Sequence, residues 1–196
     1  MQAFNDAFRA EGRKDTGGPE RTAVEKRLGP VFTHLLKEDG HYDVFLISAE
    51  GNVVFTAVKE SDLGQNLVSG FLKDSGLGRA FRDSETRKTA FADLAPYAPS
   101  NNHPAGFFSR RPLSMAPASG WAPWRSRSRS TMINQIMQER TGLGRTGETY
   151  LVGPDKLMRS DSFRDPTDHL VKASFANPQS GKVDTDTTRN AFAGRS

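Results

Sequence analysis

The hydrophobic positions of this chain fall into short, separated runs. Thr22-Ala-Val-Glu25 has the form of a capping box. After it Val24, Leu28, Val31, Phe32, Leu35 and Leu36 recur at helical spacing, with Gly29-Pro30 as a kink and Gly40 as a stop. This predicts one long helix whose apolar stripe faces a core. A shorter helix is predicted over 2–11, followed by a loop around Asp15-Thr-Gly-Gly-Pro19. Tyr42-Asp-Val-Phe-Leu-Ile47 and Val53-Val-Phe-Thr-Ala-Val58 flank the turn Glu50-Gly51-Asn52 and predict a β-hairpin. Further along, a helix is expected at 77–82 or longer and a strand at 89–93. A Pro- and Asn-rich loop is expected at 94–104, then a strand from Ala105 that breaks off abruptly. Met132 to Arg140 is amphipathic. Glu148–Val152 and Leu157–Asp161 predict a second hairpin across a Gly-Pro-Asp turn. Residues 162–196 are polar and carry no closing apolar element. Helix-then-hairpin thus occurs twice, a faint internal repeat whose second copy reads as cut short.

One stretch breaks the pattern. Residues 110–131 hold both Trp, three Pro, five Arg and no acid, with no helical or strand period. Two readings account for it. Read one frame away, from the third base of each codon, the Trp codons, and the Arg-Ser alternation where Ser is TCN, give apolar residues at alternate positions. With GC-rich codons the segment becomes APAIDGAGERLGTLAFQIPID, which is strand, turn and strand. Two compensating frameshifts would produce the written string. The other reading is a genuine disordered insertion.

Composition matters mainly through that stretch. The chain has 196 residues, a net charge of +4, a mean hydropathy of −0.61 and 35% apolar residues, low for a packed globule. Outside 110–131 there remain 22 basic and 23 acidic residues, a balance of −1. The basic excess, with Arg125–Ser130, is the basis of the alternative reading as a nucleic-acid binder. Absence of Cys excludes disulfides, thiol catalysis and Cys-ligated metal. No run suits a transmembrane helix or a secretory signal, so the chain as written is expected in the cytoplasm.

Catalytic and metal motifs fail on spacing. Gly142-Leu-Gly-Arg-Thr-Gly147 fits GxGxxG, but a helix precedes it and a strand follows, the reverse of a dinucleotide site. It reads as a helix stop and turn. Asp184-Thr-Asp186 opens like a calcium loop, but Arg189 and Arg195 stand where Gly and Glu are needed. His34, His41, His103 and His169 include no i, i+4 pair and read as surface or turn residues. Asp161 and Asp165 carry no mark of an acid/base pair. No cofactor, metal or enzymatic role is expected.

Several segments together resemble a known family. YDVFLISAEGNVVFTAVKESDLGQNL, FLKDSGLGRAF, FADLAPYAPS and above all GLGRTGETYLVGPDKLMRSDSF are similar to double-Cache extracytoplasmic sensors. These PAS-like domains occur in bacterial chemotaxis receptors, histidine kinases and membrane cyclases. The resemblance covers about 22–196 except 110–131. It implies an α+β fold with a long N-terminal helix and antiparallel PAS-like sheets. The expected organisation is a helical segment at 1–39, a distal module at 40–131 and a partial proximal module at 132–196. It also implies a small-molecule ligand, a homodimeric membrane receptor as parent, and a periplasmic site for this domain. This chain would then be a receptor fragment without its transmembrane and output parts. Within such a module the ligand lies between sheet and loops. Asp93, Tyr97, Ser100 and Asn101 are the expected polar contacts, with Phe91 and Phe107 as walls. No complete amino-acid-binding set of Arg, Trp, Tyr and Asp is found. The scrambled stretch is expected to damage the distal module, because Pro and alternating Arg suit no buried central strand.

Overall fold

A computed structural model of the chain describes residues 19–39, 41–87, 89–110, 125–128 and 130–194. The helix predicted over 2–11 lies outside these residues. The chain divides into two units, Met1–Ser128 and Arg129–Ser196.

In the first unit, helix α1 (Pro19–Asp39) carries Pro30 in its interior. Strands β1 (Asp43–Ile47) and β2 (Val53–Thr56) form the expected hairpin, with a register shift at Leu46/Ile47. Every residue of both strands is buried, so both faces are covered. Phe45, Ile47 and Val53 join the main core. Leu46, Val54 and Phe55 pack with Phe32 of α1, whose ring lies 5.0 Å from that of Phe55. Two-sided burial is why the strands read as continuous apolar runs rather than alternations.

Helix α2 (Gly76–Thr86) is longer than its minimum expectation. Ser75 caps it by accepting from the Gly78 amide at 3.1 Å. Leu77, Ala80 and Phe81 are buried in the core. Gly78 is needed for space: a Cβ there would lie 2.3 Å from the Lys73 carbonyl oxygen and 2.5 Å from that of Leu72. Both obstacles are backbone. Gly78→Ala is therefore expected to cost about 2–3 kcal/mol, read from the urea midpoint.

Strand β3 (Thr89–Tyr97) alternates exposed and buried residues, as a strand covered on one face must. It pairs with β4 (His103–Arg110) through a short 3₁₀ turn at Ala98–Ser100. The expected loop over 94–104 is thus corrected: most of it is strand and turn. Its prolines misled the reading. Pro96 faces Pro104, and β3 is the last strand of the sheet, where a missing N–H costs no ladder bond.

Strand β5 (Arg125–Ser128) lies between β1 and β4, giving the antiparallel order β2-β1-β5-β4-β3. The expectation that the Arg-Ser string suits no central strand is therefore corrected for the backbone. Four residues in this slot satisfy ladder groups on two neighbours at once, a gain that depends little on side-chain type. The register sets Arg125 opposite Phe45 and Ser109, and Arg127 opposite Asp43 and Phe107.

In the second unit, helix α3 (Ser130–Met137) ends slightly before the predicted stop. Gly142 and Gly144 then adopt φ of +84° and +67°, as a helix stop and turn require. Arg140 secures this turn by donating to the carbonyls of Gly144, Arg145 and Gly147. The second hairpin is corrected to a single bridge, Val152–Met158. Side chains take over the next rungs. The Leu151 amide donates to Ser160 Oγ at 2.8 Å, and the Arg159 guanidinium fills the turn by bonding Asp155 and the Leu157 carbonyl. Two short helices follow, α4 (Val171–Ala176) and α5 (Asp186–Phe192), in a segment read as lacking elements. Helices of six and seven residues show too few periods to announce themselves.

Candidate functional site

Three of the six expected ligand contacts meet at one end of the first unit's sheet. The loop after β2 crosses that end to the β3–β4 turn. Glu60 accepts hydrogen bonds from Tyr42 OH at 3.1 Å and from the Ser100 hydroxyl. Tyr97 OH donates to Asp62 Oδ2 at 2.9 Å. Asn101 follows with a left-handed φ of 52°, its amide donating to the Ala98 carbonyl. Tyr97, Ser100 and Asn101 are thus neighbours, but Tyr97 and Ser100 are buried and engaged with the crossing loop.

The other three lie elsewhere. Phe107 is core, its ring 4.9 Å from that of Tyr97. Phe91 is 65% exposed and Asp93 is also exposed, one residue out of phase with the buried Ala90, Ala92 and Leu94. Strand parity puts Phe91 and Phe107 on opposite faces, so they are not two walls of one pocket.

Nearby, Asp43 is fully buried at the start of β1. Its Oδ1 accepts from the amides of Val44 (2.7 Å), Ala57 (2.9 Å) and Val58 (3.1 Å), and Oδ2 accepts from Thr56 Oγ1 at 2.6 Å. Burial pushes its carboxyl above the usual value, and these bonds only partly offset that. Asp43 is a structural clasp between β1 and the end of β2.

The second unit contains a cavity of about 360 Å³. Met158, fully buried, and Val183 supply apolar wall, and Tyr150 adds a half-exposed ring. Three carboxylates line it, and each is held by the chain itself. Glu148 accepts from Ser162 Oγ at 2.9 Å and from the amides of Phe163 (2.9 Å) and Arg164 (3.1 Å). Asp165 pairs with His169 Nδ1 at 2.6 Å and accepts from the amides of Thr167 and Asp168. The bond from His169, then those amides, hold its carboxyl below the usual range. Asp184 accepts from Lys156 Nζ at 2.6 Å and Arg189 Nε at 2.8 Å, which lowers its carboxyl to about 2.

The frame around the cavity is cross-braced. Asn134 and Asp161 exchange two hydrogen bonds, Asp161 Oδ1 accepts from the Val171 amide, and Ser174 Oγ accepts from the Met158 amide. Lys182 also lines the cavity. Its exposed ammonium has no hydrogen-bond or ion-pair partner among the described residues. None of the cavity residues was singled out as a ligand contact from sequence. Glu148 and Tyr150 sit in the segment that carried the family resemblance. Lys182 and His169 gave no local signal, because folding alone brings them to that wall.

No family model and no curated protein matches the chain. Among solved structures, it is similar to the sensor domain of the V. cholerae histidine kinase DctB. The identity is 12% and the TM-score 0.54, over 95% of this chain and 66% of that one. It is also similar to an extracellular ligand-binding receptor from Desulfohalobium retbaense, with 14% identity and a TM-score of 0.52, over 98% of this chain and 31% of the receptor. The chain thus spans just under two thirds of the first and under a third of the second. The fold is α+β with an antiparallel sheet, shared with these two sensor and receptor domains.

Proposed function

We propose that this Cache-like sensor fold serves as the ligand-sensing module of a bacterial transmembrane receptor, of the chemotaxis or histidine-kinase kind. The reading is carried by the likeness to a histidine-kinase sensor over 95% of the chain. The sheet order β2-β1-β5-β4-β3, helix-covered over its β1–β2 half, supports it. On this proposal the domain lies outside the inner membrane, and the chain is one part of a longer, homodimeric receptor. Among the described residues no helix is long and apolar enough to cross a membrane. The parent's anchors and output would then be encoded beside it.

The cavity walled by Tyr150, Met158 and Val183 is the place for a small molecule, since sites of this kind begin at about 300 Å³. Sensing requires only that ligand favour one arrangement of the second unit over another. The 182–185 segment is a suitable moving wall. It is tied to the 153–158 turn through the Val183 amide on the Lys156 carbonyl and through the Lys156–Asp184 pair.

The nucleic-acid reading loses its support here. Arg125–Ser128 is the middle strand of the sheet, paired on both edges, and not a free basic tail.

A thermal scan of the chain against small organic acids, amines, sugars and amino acids tests the proposal. A ligand at about 100 times its Kd adds roughly 2.7 kcal/mol. That corresponds to a rise of about 5–10 °C for a chain of this size. No shift with any class, together with steeply salt-dependent binding to single-stranded RNA, would overturn it.

A further inference from the structure

We infer that the outer edge of β3 is a self-pairing surface, along which two copies of the chain join antiparallel over Thr89–Asp93 with the two-fold axis at Phe91. This deepens the homodimer reading above and rests on it.

The sheet has two edges, and they differ. β2 lies at one end of the strand order and β3 at the other. The β2 edge is covered. The Val53 amide donates to the Gln65 carbonyl at 2.8 Å, the Val53 carbonyl accepts from the Gly64 amide at 2.9 Å, and Asn52 bridges Asn66. By the alternation of ladder groups, only Phe55 remains along that short strand. The β3 edge is open. Among the described residues, no backbone group of Thr89–Ala92 bonds outside the sheet. An open edge is a template for a further strand. The two features that blunt it, a register shift and Pro96, come only after Ala92.

Side chains select the partner. Phe91 is 65% exposed, and Phe108, directly opposite it on β4, is 38% exposed. Phe91, Phe108, Ser126 and Val44 form one register row. Leu46, two residues on from Val44 and on the same face, packs with Phe32 of α1. The helix therefore covers this face over β1 and β2 and leaves the aromatic pair in water. A two-fold axis at Phe91 sets the two Phe91 rings beside each other. The row then runs Phe108–Phe91–Phe91–Phe108 across the join, and aromatic pairs directly opposite stabilise antiparallel strands. The same axis sets Thr89 of one copy opposite Asp93 of the other, a hydroxyl against a carboxylate with no like-charge pair. Because the 64–66 segment closes the β2 edge, edge pairing stops at two copies and does not run on into a fibre.

Sedimentation of the full chain over a concentration series tests this, with cysteine cross-linking to locate the contact. A concentration-dependent dimer is expected. Phe91→Lys puts two like charges opposite each other. It is expected to weaken the dimer by about tenfold or more, with an unchanged thermal midpoint where the parent is monomeric. Phe91→Tyr is expected to keep the dimer. The chain has no cysteine, so introduced ones report on their own positions. Thr89→Cys with Asp93→Cys keeps Phe91 and is expected to give a disulfide-linked dimer on mild oxidation. Within one strand these positions lie about 13 Å apart, beyond the reach of a disulfide. Thr33→Cys, exposed on α1, is expected to stay unlinked. Undiminished pairing by Phe91→Lys, linkage through Thr33→Cys in place of the β3 positions, or a chain that stays monomeric at every concentration overturns the inference. Each of these leaves the sensor reading intact, which falls only on a silent thermal scan across every ligand class.

Discussion

Replacing Arg125 and Arg127 together by valine is expected to raise the thermal midpoint by about 2–8 °C. Both positions lie in the central strand. Position 125 is opposite Phe45 and Ser109, and position 127 is opposite Asp43 and Phe107. Phe45, Ser109 and Asp43 are 0% exposed, and Phe107 is 1%. Positions with such neighbours call for β-branched apolar residues. Exchanging arginine for a β-branched residue in a central strand is worth up to about 1 kcal/mol per position. At roughly 2–4 °C per kcal/mol for this chain length, the rise is easily read by circular dichroism. The comparison also tests the origin of 110–131. If compensating frameshifts wrote this segment, the alternative-frame string restores the sheet and gains at least as much as the double variant. A fall in midpoint for both variants contradicts the proposed slot. Coding DNA that lacks apolar alternation in the shifted frame contradicts the frameshift.

Removing the Asp43 carboxylate has the opposite effect. Asp43→Ala withdraws an acceptor from the amides of Val44, Ala57 and Val58 and from the Thr56 hydroxyl. Unsatisfied buried donors cost about 1–3 kcal/mol each, partly relieved by water entry. A loss of about 3 kcal/mol or more is expected, or roughly 6–12 °C. Asp43→Asn keeps an oxygen for the amides and removes the charge, so its expected cost is within about 1 kcal/mol. The two variants also separate in their pH dependence. Burial raises the Asp43 carboxyl above its unfolded value. Over that window the folded chain holds more protons than the unfolded one. Stability from this group is therefore greatest below the unfolded pKa and falls as pH rises through the folded pKa. Asp43→Asn should flatten this limb in a series of denaturant midpoints, and an unchanged slope would show that another group titrates there.

Elements with a strong local period were legible in the sequence. The capping box and apolar spacing of α1 and the runs of β1 and β2 announced themselves, and α2 did so over part of its length. The prolines at 96 and 104 hid the length of β3 and β4, since proline marks loops unless the strand is an edge. The central strand was hidden by its composition, and only the vacancy between β1 and β4 reveals where it goes. The candidate site was the least legible part. Tyr97, Ser100 and Asn101 lie together at one end of the sheet, but the even–odd parity of β3 separates Phe91 and Asp93 from Phe107. The cavity draws on residues from 148 to 185, and no local pattern links them.

Chemical-shift mapping of the full chain, titrated with whichever ligand class raises the thermal midpoint most, tests the account most directly. It predicts saturable shifts centred on Tyr150, Met158, His169, Lys182 and Val183, with little change at Arg125–Ser128. Saturable shifts confined to the first unit, or none at any concentration that leaves the chain folded, would contradict it.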